Sequence, residues 1–167
     1  MDAQTQYFSE MRLVKIRINQ VEILLNEAQN RDRYIKMFLA ITSTGSIASW
    51  AIWKDLAFFW GVLIAVSQFI NAVKQYLPFS AKAKRLSGLL RDLETLLLFA
   101  EGKWFKVGDG QLTEEEIHGL QMEIKMRKKK SLDEFLPSTI LPSKHKRFSQ
   151  AEESADKYFS HFYGEAK

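Results

Sequence analysis

The stretch at residues 34–76, YIKMFLAITSTGSIASWAIWKDLAFFWGVLIAVSQFINAVKQY, decides the fold. Residues 37–53 are 17 consecutive positions without a charge, and residues 56–73 are 18 more. Only Lys54 and Asp55 part them. A helix rises about 1.5 Å per residue, so each run covers roughly 26–27 Å, near the ~30 Å hydrocarbon core of a bilayer. The expectation is an all-α membrane protein built on a two-helix transmembrane hairpin with a very tight turn; the alternative is a soluble helical bundle with the hairpin as its core.

The flanks point the same way. Tyr34 and Tyr76 stand at the open ends, and Trp50, Trp53 and Trp60 gather near the turn. Aromatic rings at both interfaces form the belt expected of a spanning segment. Lys74, Lys82, Lys84 and Arg85 follow the second run with no acid between them, and are candidates to face lipid headgroups. Arg31, Arg33 and Lys36 precede the first run, with Asp32 among them. The positive-inside rule then puts both termini in the cytoplasm and the turn outside. The first apolar run begins behind a long polar segment, which argues against a signal peptide.

The runs are unequal. The second holds ten strongly apolar residues, worth roughly 3–6 kcal/mol of insertion before polar costs; the first holds five, worth about half that. Thr42, Gly45, Ser46 and Ser49 fall at i, i+3, i+4 and i+7, on one helix face. Gly61, Ala65, Gln68 and Ala72 make a similar face on the second run. Small and hydroxylated residues let helices approach closely in lipid. These faces either pack together within one hairpin or line a water-filled path in an assembly of several chains. On the second reading Thr42, Ser46, Ser49, Gln68 and Asn71 are the pore-lining candidates.

Outward from the hairpin, residues 1–34 read as a cytoplasmic amphipathic helix. Met11, Val14, Ile18, Val21 and Leu25 alternate at steps of three and four, a heptad seam. It packs on later helices of the same chain or on a second copy; both stay open. Residues 35–77 are the hairpin unit and 80–130 a cytoplasmic helical region. Leu86, Leu89, Leu90, Leu93, Leu96 and Leu97 form one face there, and Gly102 is expected to end that helix. Trp104 to Val107 is expected as a short strand or loop. Thr113 and Glu116 have the spacing of a capping box, and the run Arg127 to Lys130 is expected to close the helix it begins. Residues 131–148 read as a linker, and 149–167 as an amphipathic C-terminal helix capped by Ser149. That helix docks on the other cytoplasmic helices or lies on the membrane.

The 167 residues carry a net charge of +4 and no cysteine, which removes disulfides and thiolate chemistry. The three histidines lie in separate segments without metal-ligand spacing. No nucleophile elbow, zinc-protease motif or phosphate loop appears. The expectation is no enzyme, no cofactor and no metal. The basic clusters suit anionic lipid, and without a recognition fold they argue against direct nucleic-acid binding.

The helix leading into a short-turn hairpin at residues 37–53 and 56–73, followed by cytoplasmic helices, resembles the SLATT superfamily of bacterial two-transmembrane effectors. The resemblance is architectural and covers most of the chain to about residue 130. It implies an oligomeric inner-membrane effector of an antiphage or conflict system that permeabilises the membrane. A nucleotide second messenger or a partner sensor protein would release it. The alternative, from a different class, is a membrane anchor or adaptor that recruits a partner through its cytoplasmic helices.

Overall fold

The computed structural model describes residues 2–52, 57–74, 79–136 and 145–164. Every element among them is helical: α1 (Ala3–Ile52), α2 (Ala57–Lys74), α3 (Phe79–Gly108), α4 (Glu114–Phe135) and α5 (His145–Tyr163). The chain divides into two units. The first joins two distant pieces, Met1–Leu25 and Lys84–Lys167; the second is Asn26–Ala83.

In the first unit the heptad seam of α1 is the centre of a four-helix packing. Met11, Val14, Ile18, Val21 and Leu25 are all buried, together with Leu86, Leu89 and Leu93 of α3 and Ile117 and Ile124 of α4. Hydrogen bonds fix the directions. Gln4 Nε2 donates to Val107 O and Tyr7 Oη to Ala100 O, both at 2.9 Å, so α3 runs antiparallel to α1. Gln121 Nε2 donates to Ala3 O at 3.0 Å, and Glu10 holds Lys128 at 3.1 Å and Lys125 at 3.4 Å, so α4 runs parallel to it. Arg12 reaches Asp156 at 2.6 Å and Glu152 at 3.1 Å, and Asn19 Nδ2 donates to Ala151 O at 2.9 Å, so α5 is antiparallel. Ala151 and Ala155 let α5 approach closely enough to bury Ile16. The docked placement of the C-terminal helix follows from these contacts.

Three boundaries differ from the expectations. Gly102 does not end α3, which continues to Gly108. A glycine inside a helix costs only about 1 kcal/mol. Beyond it Val107 is fully buried, and the Trp104 ring lies 6.1 Å from Tyr7 and 5.3 Å from Phe8, so packing outweighs that cost and no strand forms there. The helix stops instead at Gly110, which takes φ +67°. Gln111 N–H bonds Lys106 O and Gly110 N–H bonds Val107 O, a Schellman ending that needs the left-handed backbone of glycine. Second, Arg127 to Lys130 sits within α4, not at its end: Arg127 pairs with Glu123 and lies over the Phe99 ring, and Lys128 pairs with Glu10. Third, α5 begins at His145, a turn before Ser149, because Phe148 adds apolar contact to the cluster around Ile16. The start of α4 is as expected: Thr113 N–H donates to Glu116 Oε2 at 2.8 Å and Glu116 N–H to Thr113 Oγ1 at 3.3 Å.

The second unit contains residues 26–52 of α1, all of α2, and the first turn of α3. The Lys54–Asp55 turn lies outside the described residues, as do Pro78, Pro137 and Pro142. Among the described residues no helix is long and apolar enough to cross a membrane.

Candidate functional site

Among the described side chains of the second unit, small and hydroxylated residues are buried while much of the apolar surface of α2 is open. The buried side chains described there are Ala28, Thr42 and Ser67, whereas Phe58, Phe59, Val62, Ile64, Val66 and Phe69 of α2 are exposed, Phe58 to 86%. Both buried hydroxyls are satisfied within their own helices. Thr42 Oγ1 donates to Phe38 O at 3.0 Å and Leu39 O at 3.1 Å, and Ser67 Oγ to Ile64 O at 2.8 Å. A hydroxyl bonded back to its own helix needs no water, so these positions tolerate an apolar medium.

At about 100° per residue, α2 resolves into three sectors. Leu63, Ser67 and Ile70 are its most covered positions and mark the packed side. Phe58, Val62, Val66 and Phe69 occupy a broad exposed apolar side. Gly61, Ala65, Gln68 and Ala72 form a third, exposed and small or polar. The sequence pattern offers that last set as a packing face; the structure covers the side around Ser67 instead, roughly 160° around the helix. Asn71 is exposed on the side between the packed and polar sectors.

The other predicted positions fall as follows. Tyr34 is exposed. Ser46, Ser49, Trp50, Trp60 and Lys74 lie within α1 and α2, with side chains outside those described; Trp53 and Tyr76 are outside the described residues altogether. Lys82, Lys84 and Arg85 are exposed on α3.

Sequence reasoning missed Ser67, although its i+4 spacing from Leu63 and i+3 spacing to Ile70 is a helix-face signal. It also did not bring together the aromatic end of the four-helix unit. There Tyr7, Phe8, Trp104, Phe159 and Tyr163 form a ring cluster with centroid separations of 5.2–6.2 Å.

Several ionisable groups of the first unit serve packing. Burial, helped by Glu123, pushes the Tyr7 phenol up to about 12. Burial, with the hydrogen bond to Glu101, does the same for Tyr158. Asp156, with Glu152, holds the Arg12 guanidinium above its ordinary value. The Glu116 carboxyl is lowered by the Thr113 N–H of its cap. Among the described residues no group of three or more His, Asp or Glu side chains is placed to hold a metal ion. No protein-family model matches the chain, and neither a curated protein nor a solved structure does.

Proposed function

We propose that the chain is an oligomeric helical-hairpin protein of the membrane that permeabilises the bilayer when triggered. The observation that carries this reading is the three-sector surface of α2. A broad apolar side that the chain itself leaves open suits lipid tails. An adjoining side of Gly61, Ala65 and Ala72 suits close approach of a neighbouring helix. Gln68, in the middle of that side, would be costly facing hydrocarbon and becomes favourable against water or a partner. Two helices cannot enclose an aqueous path, so the path requires several copies.

The 18 residues of α2 cover about 27 Å, slightly short of an average bilayer core. A short span is accommodated by local thinning or by oligomerisation, and the second fits the open side of α2. On this reading the resemblance in layout to SLATT effectors favours a role in a bacterial defence system, with the four-helix unit as the part that would receive the trigger.

The test is the double variant Gln68→Leu/Asn71→Leu in cells carrying a membrane-potential dye. Wild-type chain, co-expressed with its neighbouring genes, should depolarise the membrane. The variant should remain membrane-bound and lose that activity. Equal depolarisation by both chains removes these residues from the path.

A further inference from the structure

A groove of about 550 Å³ lies between the N-terminal half of α3 and the last turn of α4, lined by Lys84, Arg85, Ser87, Gly88, Arg91 and Asp92 on one side and Phe135 on the other. We propose that it is a binding site for a phosphate group. Lys84, Gly88 and Arg91 fall at i, i+4 and i+7, so both cations project from one face with a glycine between them; Arg85 flanks them. All three cations are exposed and make no ion pair among the described residues. Elsewhere in this unit Arg12, Lys125, Arg127, Lys128 and Lys157 pair with carboxylates and Lys15 and Lys103 lie over aromatic rings; Lys106, Lys129, Lys130 and Lys146 make no ion pair among the described residues, but the groove gathers three such cations within two helical turns. The one acid in the groove, Asp92, accepts the Ser131 hydroxyl at 3.4 Å.

Two further features shape the site. The lining carries a net positive charge, three cations against the one carboxylate of Asp92. Gly88 has no side chain because the Phe135 ring occupies that space; a Cβ there would collide with it. The ring gives the groove an apolar wall beside its cations. A planar guanidinium on each flank matches the oxygens of a phosphate, by the fork geometry that makes arginine a preferred phosphate ligand. The chemistry fits either the phosphodiester of a lipid headgroup, with its glycerol carbons against Phe135, or free phosphate. It does not depend on insertion of the hairpin.

The test uses the full chain in zwitterionic detergent, titrated separately with inorganic phosphate and with dihexanoyl phosphatidylglycerol below its micelle concentration, read by calorimetry and phosphorus NMR. The variant Lys84→Gln/Arg85→Gln/Arg91→Gln should weaken binding by about tenfold or more, the loss expected for charge-assisted hydrogen bonds. A charge-matched control, Lys106→Gln/Lys129→Gln/Lys146→Gln, should bind as the wild type does. Arg91→Gln alone, which changes one exposed side chain, should weaken binding with its helical melt unchanged. Binding of the lipid alone names a headgroup as the source, and binding of phosphate alone names a soluble anion; either supports the site. No binding to the wild type, wild-type affinity in the groove variants, or an equal loss in the control overturns it.

Discussion

Val66→Lys separates an α2 that faces lipid from one that faces water. Val66 lies at the midpoint of α2 and is 44% exposed. In a bilayer, a central valine favours insertion by about 0.3–0.6 kcal/mol and a central lysine opposes it by about 2.5–3.5, so the exchange costs roughly 3–4 kcal/mol. The nine Leu, Ile, Phe and Val residues of α2 together supply only about 3–5 kcal/mol on the same scale. One substitution therefore cancels most of the helix's driving force, and membrane retention should fall by about 100-fold or more. In water the same change at an open surface site moves stability by no more than about 0.5 kcal/mol. The assay is carbonate extraction and vesicle flotation, with the melt of the four-helix unit followed by circular dichroism. Phe58→Lys is the positional control. It lies at the start of α2, where a lysine can reach the interface with its charge, so it should cost far less. Wild-type retention of Val66→Lys, or release of the wild-type chain by carbonate, refutes the placement of α2 in lipid.

Tyr7→Phe removes the bond to Ala100 O and should cost about 1 kcal/mol at pH 8. The folded phenol titrates near 12 and the unfolded one near 10; below pH 10 both are protonated, and between about 10 and 12 the unfolded chain loses its proton first, so the wild type loses about 2–3 kcal/mol of stability that the variant keeps. Denaturant melts should show the variant becoming the more stable of the two near pH 11, and parallel curves would place the phenol in water. Ala155→Leu overfills the contact between α5 and Ile16 and should destabilise the docked helix by about 1–3 kcal/mol, seen as faster proteolytic release of residues 145–164.

The four-helix unit was largely legible because its signals are local. The steps of three and four along α1, the leucine face of α3 and the Thr113–Glu116 box each depend on residues within one or two turns. The boundaries that escaped depend on distant partners. Gly102 reads as a stop until Tyr7 and Phe8 supply a platform for Trp104, some 95 residues away in sequence. Likewise, α5 starts before Ser149 because Phe148 meets the cluster at Ile16. In the hairpin unit the faces were legible as sets but not in their roles. Gly61, Ala65, Gln68 and Ala72 lie nearly opposite the covered sector, and sequence alone does not say which face of α2 is covered. The phosphate groove was legible only as loose cations, since nothing local to residues 84–92 announces that Phe135 stands opposite them.

The interleaving of the two units imposes an order on biosynthesis. The stripe on residues 3–25 has its partners on residues beyond 84, with hydrogen bonds that span 93 to 144 positions. Translation proceeds at about 5–20 residues per second, so the stripe emerges many seconds before the last helix that covers it. Throughout that interval it is an amphipathic helix without a core, open to a chaperone or to the stripe of a neighbouring nascent chain. Residues 26–83, by contrast, are complete when the ribosome is half-way through the message. That segment is thus free to fold, or to meet a partner, before the helices that flank it in sequence can close on one another.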